Sequence, residues 1–536
     1  MRVPERNRQT VGEVLKRTVA AHGDKPFLIA DERSVTYAEI DRESDRLANG
    51  LAALGVGRQD TVLAMLPDRI DFIAVWIALS KLAAIEVPVN RDYRGALLKR
   101  VVNHSDASAM IVDRSYLDRI ADLAEELTTL KRLVVYPTLD GVTVPNELGD
   151  RFELVSFERL TASGDAPVED SARCNDLIAV LYTSGTTGPS KGVMTYHAHA
   201  YEYSNCMAEA LDLSTEDIYF APLPLFHIAG QWAVVYAAMI TNATVVLKER
   251  FSVSKFWDIV AEHGVTTTLL LDVMANFLYR QPKSENDIRT PLRKIHMSPV
   301  IPEVEDFKRR FGVSVTTDLA STEMCAPLRV GYEPGKSDFF HIDDSGACGR
   351  EVSDRFEVRL VDENEDEVPP GVVGELCVRA KEPWILMAGY WKDPEATVTA
   401  WRNLWLHTGD ALTRDEAGNF FYVDRLKDAI RRRGENISSM EVENEVNAHP
   451  AVLESAAIGV RAEVGDDEVM VVVALRHGTA LAPEELVAFL QPRMPAFMVP
   501  RYVEIVDALP KTENGKIRKY PLRERGVMET TWDRDV

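Results

Sequence analysis

Thr183-Ser184-Gly185-Thr186-Thr187-Gly188-Pro189-Ser190-Lys191-Gly192 follows directly on the apolar run Leu177–Tyr182. Glycines let a backbone bend so that successive N–H groups face one concavity. Hydroxyls add donors and the lysine adds charge, a combination suited to cradling a phosphate. A plain Ser/Thr/Gly surface loop is the alternative, and an unbroken run of such residues weighs against it. The P-loop pattern G-x-x-x-x-G-K-[ST] fails, since Ser190 precedes Lys191 and Gly192 follows it. A formal G-x-S-x-G is present as Gly188 to Gly192, but several polar residues separate Ser190 from the strand. A hydrolase elbow instead puts its serine on the turn at the strand's end. A serine hydrolase using Ser190 stays as the alternative from another class.

Outward from this loop, helical and strand patterns alternate. Thr10–Ala21 reads as an amphipathic helix, Pro26–Tyr37 as a hairpin turning near Asp31 and Glu32, and Tyr37–Leu54 as a helix ending before Gly55. Thr61–Leu66 and Ala109–Val112 read as strands with the helix Asp68–Leu82 between them. Such alternation implies a largely parallel sheet covered on both faces. Residues 138–150 read as a surface loop, and the stretch from Phe356 to Tyr422 as richer in strands. Beyond Asp424 the pattern changes to Ser439–Ala448 (helix), Val452–Val460 and Val469–Leu475 (strands), Pro483–Leu490 (helix) and Tyr502–Val506 (strand). That is an α+β unit large enough to stand as its own domain.

The 536 residues allow roughly three to four domains or subdomains. Lys and Arg number 61 against 84 Asp and Glu, a net charge of −23. An acidic chain repels nucleic acid and anionic membranes, so neither is expected as a partner. The cysteines Cys174, Cys206, Cys325, Cys348 and Cys377 form no C-x-x-C pair. That argues against a disulfide framework or a zinc knuckle and makes a reducing cytoplasm the default. Met1–Arg17 has no apolar core and is not a signal peptide. The apolar stretch Trp232–Ile240 falls far short of the ~20 residues of a membrane span.

Further motifs follow the loop in order: Pro222-Leu223-Pro224-Leu225-Phe226-His227, Asp318-Leu319-Ala320-Ser321-Thr322-Glu323, Trp405-Leu406-His407-Thr408-Gly409-Asp410, Arg425-Leu426-Lys427-Asp428 and Pro510-Lys511-Thr512-Glu513-Asn514-Gly515-Lys516. With these the chain resembles the adenylate-forming superfamily of acyl-CoA synthetases, adenylation domains and luciferases. Within it, the chain is most similar to the stand-alone AMP-forming acyl-CoA ligases, including the crotonobetaine/carnitine-CoA ligase branch. The resemblance runs from about Thr10 to Arg525.

It implies an α/β fold with a large N-terminal AMP-binding domain, 1–424, made of α/β subdomains with a β-rich third subdomain. A small mobile C-terminal α+β domain, 425–536, follows a hinge near 424–428. It also implies ATP, Mg²⁺ and coenzyme A as ligands and a carboxylic acid as substrate. Thr183, Ser184, Gly185, Thr186, Thr187, Gly188 and Lys191 would hold ATP, with Asp318, Leu319, Ala320 and Ser321 at adenine. Thr322 would contact the α-phosphate and Glu323 would hold the metal, since a hard cation prefers carboxylate oxygen. On its own, Thr322-Glu323 reads equally as a helix cap.

Leu319-Ala320 stands where the family usually has an aromatic and a glycine, so leucine packs where a ring would stack on adenine. Asp410 would accept both ribose hydroxyls, and a turn aspartate is its plain reading. Arg425 would bond the nucleotide, and Lys427 would be the hinge pivot, with Asp424 replacing a frequent glycine. Gly434 would let pantetheine pass, and Arg433, in the patch Arg431-Arg432-Arg433, would meet CoA phosphates. The patch reads equally as a solvated strand face. Lys516 would be the catalytic lysine, and His227, Gln231 and Trp232 would line the acyl site. Gly374-Glu375-Leu376 and Gly389-Tyr390 match family scaffold segments. The chain ends about twenty residues after Lys516, which leaves no fused carrier domain and favours free CoA over a separate carrier protein. A homodimer is the symmetric default.

Overall fold

Local capping signals place the first helices. Thr10 accepts from the Glu13 N–H and starts Val11–His22. Thr36 and Glu39 form a capping box, each side chain accepting the other's backbone N–H, at the head of Tyr37–Ala53. Asp31, at φ 52°, turns the hairpin between Pro26–Ala30 and Arg33–Thr36. A computed structural model describes residues 8–183, 190–284, 287–330, 346–426, 428, 430–432, 435–461, 467–512 and 515–535.

The described residues divide into two units. The first comprises 8–183, 191–358 and 378–406, and the second comprises 190, 359–377 and 407–535. The first holds two sheets covered by helices. An eight-stranded sheet runs 389–390, 191–196, 177–183, 85–88, 61–65, 109–113, 132–136 and 153–156 in spatial order. Its inner strands are parallel, as the alternating pattern implied, and Leu177–Thr183 pairs antiparallel with Lys191–Tyr196. A seven-stranded sheet runs 314–316, 294–297, 267–270, 218–221, 244–247, 26–30 and 33–36.

Each sheet packs an apolar face. Leu63, Val87, Met110 and Leu133 are wholly buried in one cluster, and Phe220, Val246, Ile295 and Val315 in the other. Burial of each such side chain contributes about 1.5–3 kcal/mol. The expected loop at 138–150 is corrected at its end, where Asn146–Arg151 forms a helix. Pro145 enters it with extended backbone, and Leu148 anchors it in the core.

The second unit carries the hairpin in which Asp410–Arg414 pair with Phe420–Arg425, and a four-stranded sheet of 452–461, 467–475, 502–506 and 532–533. Ser439–Asn447 and Pro483–Leu490 join that sheet's apolar cluster, in which Val442, Val471, Leu486 and Val503 are buried. The helix Lys519–Arg525 is an addition to the expected elements. No helix among the described residues is long and apolar enough to cross a membrane.

Candidate active site

The expected phosphate cradle falls in part outside the described residues, namely Ser184, Gly185, Thr186, Thr187 and Gly188 together with Pro189. Its two ends are described. Thr183 pairs with Lys191 and Tyr182 with Gly192, so the antiparallel strands fix both ends of the loop side by side. A Cβ on Gly192 would meet Val180 Cγ1 at 2.7 Å, so this close approach needs glycine. Lys191 is exposed, and its Nζ sits 4.6 Å from the centre of the Tyr390 ring.

The segment from Asp318 to Glu323 is a β-hairpin, not a helix cap. Asp318 pairs with Arg329, Leu319 with Leu328 and Ser321 with Cys325. The Ser321 hydroxyl accepts the N–H groups of Glu323 and Met324, both at 3.2 Å, and so shapes the turn. Asp318 is buried with its Oδ1 3.3 Å from His296 Nε2. Leu319 and Ala320 are half-buried neighbours on the strand, and Thr322 is buried.

The Glu323 carbonyl accepts from Met387 N–H at 3.0 Å, and its carboxylate Oε1 accepts from the Tyr390 hydroxyl at 3.4 Å. Among the described residues no lysine or arginine pairs with that carboxylate. A half-buried carboxylate with no cationic partner suits a hard divalent cation.

His227 ends a loop that Asp68 holds from below. The Leu225 N–H donates to Asp68 Oδ1 at 2.7 Å, and Arg91 pairs with Asp68 Oδ2 at 2.9 Å. Burial pushes the Asp68 carboxyl up to about 6 against the opposing pull of Arg91. His227 is half-buried, and its Nδ1 accepts from the Ala229 N–H at 3.1 Å. In the neutral ring this leaves the proton on Nε2.

Gln231 and Trp232 begin a π-helix, Gln231–Tyr236, and are packed in the interior. Local π-turns of this kind frequently mark functional sites. Trp232 meets Tyr203 and His199 edge-on, at 6.1 and 6.0 Å between ring centres. The Gln231 amide donates to the wholly buried carboxyl of Glu86 at 3.0 Å. Burial pushes Glu86 up to about 8, with the Gln231 bond opposing. Sequence reading missed Glu86 and Asp68. A lone acid inside an apolar strand, as in Ile85-Glu86-Val87, is the signal that could have found the first.

In the second unit, Asp410 is a strand residue rather than a turn aspartate. It is 2% exposed and faces Arg425 across the hairpin, with Nε 2.8 Å from Oδ1. The Tyr422 hydroxyl donates to the same oxygen at 3.5 Å. Glu375 braces this strand by accepting the Gly409 N–H at 3.0 Å and lying 2.8 Å from His407 Nδ1. Cys377 Sγ completes that buried group, 3.3 Å from the same nitrogen.

Asp424 is buried and accepts both the N–H and the hydroxyl of Ser439, at 2.6 and 2.5 Å. Arg432 is withdrawn from the expected basic patch. It is buried, pairs with Glu468 at 2.5 Å and donates to the carbonyls of Phe497 and Val499. Lys427, Arg433 and Gly434 lie outside the described residues. Lys516 is exposed at the end of a turn in which the Thr512 N–H donates to the Lys516 carbonyl at 2.6 Å. Gly515, at φ 78°, makes that turn possible.

Residues 15–391 match the family model described as AMP-binding enzyme, and residues 441–516 match the AMP-binding enzyme C-terminal domain. The chain is 30% identical to a crotonobetaine/carnitine-CoA ligase of Salmonella typhi, over 94% of this chain and 96% of that ligase. It is 31% identical to the ligase of the same name from Salmonella arizonae, over 91% and 93% of the two chains. A crystal structure of a benzoate CoA ligase from Burkholderia xenovorans shares the fold with a TM-score of 0.81 and 25% identity, covering 96% of this chain and 99% of that one.

Proposed function

The chain belongs to the family of AMP-binding enzymes, and from that premise we propose that it joins a small carboxylic acid to coenzyme A at the expense of ATP, releasing AMP and pyrophosphate. The observation that carries this reading is the convergence of Lys191 and Glu323 on Tyr390, beside the strand ends that bracket the Thr183–Lys191 loop. A cation and a carboxylate that pairs with no lysine or arginine among the described residues, next to a glycine- and hydroxyl-rich loop, suit a metal–triphosphate ligand.

In the first step the substrate carboxylate attacks the α-phosphorus and pyrophosphate leaves. Charge grows on the phosphoryl oxygens, and fixed donors and cations stabilise it. Lys191, Thr322, Lys516 and the 183–191 loop take this role, and Arg425 and Asp410 hold the nucleotide. Mg²⁺ fits at Glu323, where it would neutralise phosphate charge. In the second step the CoA thiol attacks the acyl carbonyl and AMP leaves. We assign the exchange of groups between steps to a C-terminal domain, 425–536, that turns on a hinge near 424–428 with Lys427 as pivot. Arg433 and Gly434 take CoA, and His227, Gln231 and Trp232 border the acyl group. The enzyme acts in the cytoplasm, and a homodimer is the assembly to test.

Relatives named for crotonobetaine, carnitine and benzoate define the acids to try first. Incubation with ATP, Mg²⁺ and each acid, with and without CoA, followed by mass analysis of products, tests the assignment. An acyl-CoA product supports it. Acyl-AMP that persists beside CoA moves the acceptor to a carrier protein. Ester or amide hydrolysis independent of ATP would return Ser190 as a nucleophile.

A further inference from the structure

Resting on that reading of the ATP site, we propose that Tyr390 is a positioning residue that keeps Lys191 and Glu323 from pairing with each other. Both side chains carry charges meant for a ligand, one for phosphate and one for a cation, and opposite charges close together tend to pair. Tyr390 touches both. Its ring face receives the Lys191 ammonium at 4.6 Å and its hydroxyl donates to Glu323 Oε1 at 3.4 Å. One side chain thus contacts both charged groups without neutralising either.

The backbone holds Tyr390 in this role. Gly389 and Tyr390 pair with Met194 and Val193 on the strand that begins at Lys191. The Trp391 N–H donates to the Gly192 carbonyl at 2.7 Å, and the Met387 N–H to the Glu323 carbonyl at 3.0 Å. The four-residue interval 387–390 therefore ties the lysine strand to the glutamate turn. Thr397 Oγ1 accepts the Tyr390 N–H at 2.8 Å. Its Cγ2 would lie 2.6 Å from any Cβ at Gly389, whose φ is 140°, so only glycine lets the segment run this close.

Calorimetric titration of the full chain with ATP, once in EDTA and once in excess Mg²⁺, tests the inference on the parent, Tyr390→Phe and Tyr390→Leu. Phenylalanine keeps the ring face and loses the hydroxyl. It should hold metal-free affinity within about twofold and reduce the gain on adding Mg²⁺ about threefold. Leucine removes the spacer, lets Lys191 reach Glu323, and should weaken metal-free ATP binding about tenfold. Adding Glu323→Gln to Tyr390→Leu should restore metal-free binding, since the competing carboxylate is gone. Parent-like ATP binding by Tyr390→Leu, or a loss that Glu323→Gln does not relieve, overturns the inference. A parent that binds no ATP overturns the functional reading beneath it.

Discussion

The Gln231 side-chain amide donates to the Glu86 carboxyl at 3.0 Å across 145 residues of chain, with both residues shut away from solvent. The bond links a strand of the eight-stranded sheet to the helix that follows His227, so it ties that helix to the sheet core. Glu86 stays protonated up to about pH 8 in the fold, while in the unfolded chain it ionises in the ordinary carboxylate range near 4.3. The folded state therefore binds the extra proton between those values. Stability is full below the lower value and falls as pH rises toward and through 8. Glu86→Gln should flatten the fall of the thermal midpoint from pH 6 to pH 9, and parallel profiles for parent and variant would count against it. Glu86→Ala leaves the Gln231 amide buried without its acceptor and should cost about 1–3 kcal/mol in urea unfolding.

Asp424 accepts two hydrogen bonds from Ser439 at the start of the helix Ser439–Asn447. A glycine at this position would supply neither. Asp424→Gly should lower the unfolding free energy of the second unit by about 1–2 kcal/mol for loss of these helix-start bonds, and its denaturation midpoint with it. An unchanged midpoint would mean that Ser438, which accepts the Glu441 N–H, caps the helix alone.

On the proposed function, the charge of Lys516 would serve the phosphoryl transfer and not attack by the thiol. Lys516→Ala should slow acyl-AMP formation by about a hundredfold or more while sparing thioester formation from supplied acyl-AMP. Equal loss in both half-reactions would remove the lysine from the first step.

Leu319 is half-buried on the hairpin strand and offers no ring to a base. Leu319→Tyr should lower the ATP concentration for half-maximal rate about threefold to tenfold by adding a stacking face. An unchanged or raised value would mean that adenine lies elsewhere.

The fold was legible where local chemistry decides it. The helix Pro483–Leu490 matches its expected bounds because proline opens it and Leu486, Val487 and Leu490 fall on one buried face. The strand Tyr502–Val506 also stands as expected. The short helix Asn146–Arg151 escaped, since only Leu148 anchors it. In the candidate site, motif order pointed to Glu323, Asp410 and Lys191 as residue types suited to the proposed chemistry. Their supports were hidden, because Glu86–Gln231, Asp68–Leu225 and Arg432–Glu468 are pairings that only the tertiary fold brings together. Arg432 shows the cost of reading charge locally. Three consecutive arginines look like a surface patch until a distant glutamate claims the middle one.

On the proposed function, a carboxylic acid attacks the α-phosphorus of ATP before CoA takes part. Exchange of labelled pyrophosphate into ATP, measured with Mg²⁺ and no CoA, tests it most directly. Exchange should require an accepted acid, proceed without CoA and be abolished by Lys516→Ala. Exchange that needs CoA, or turnover that releases ADP and phosphate instead of AMP and pyrophosphate, would contradict it.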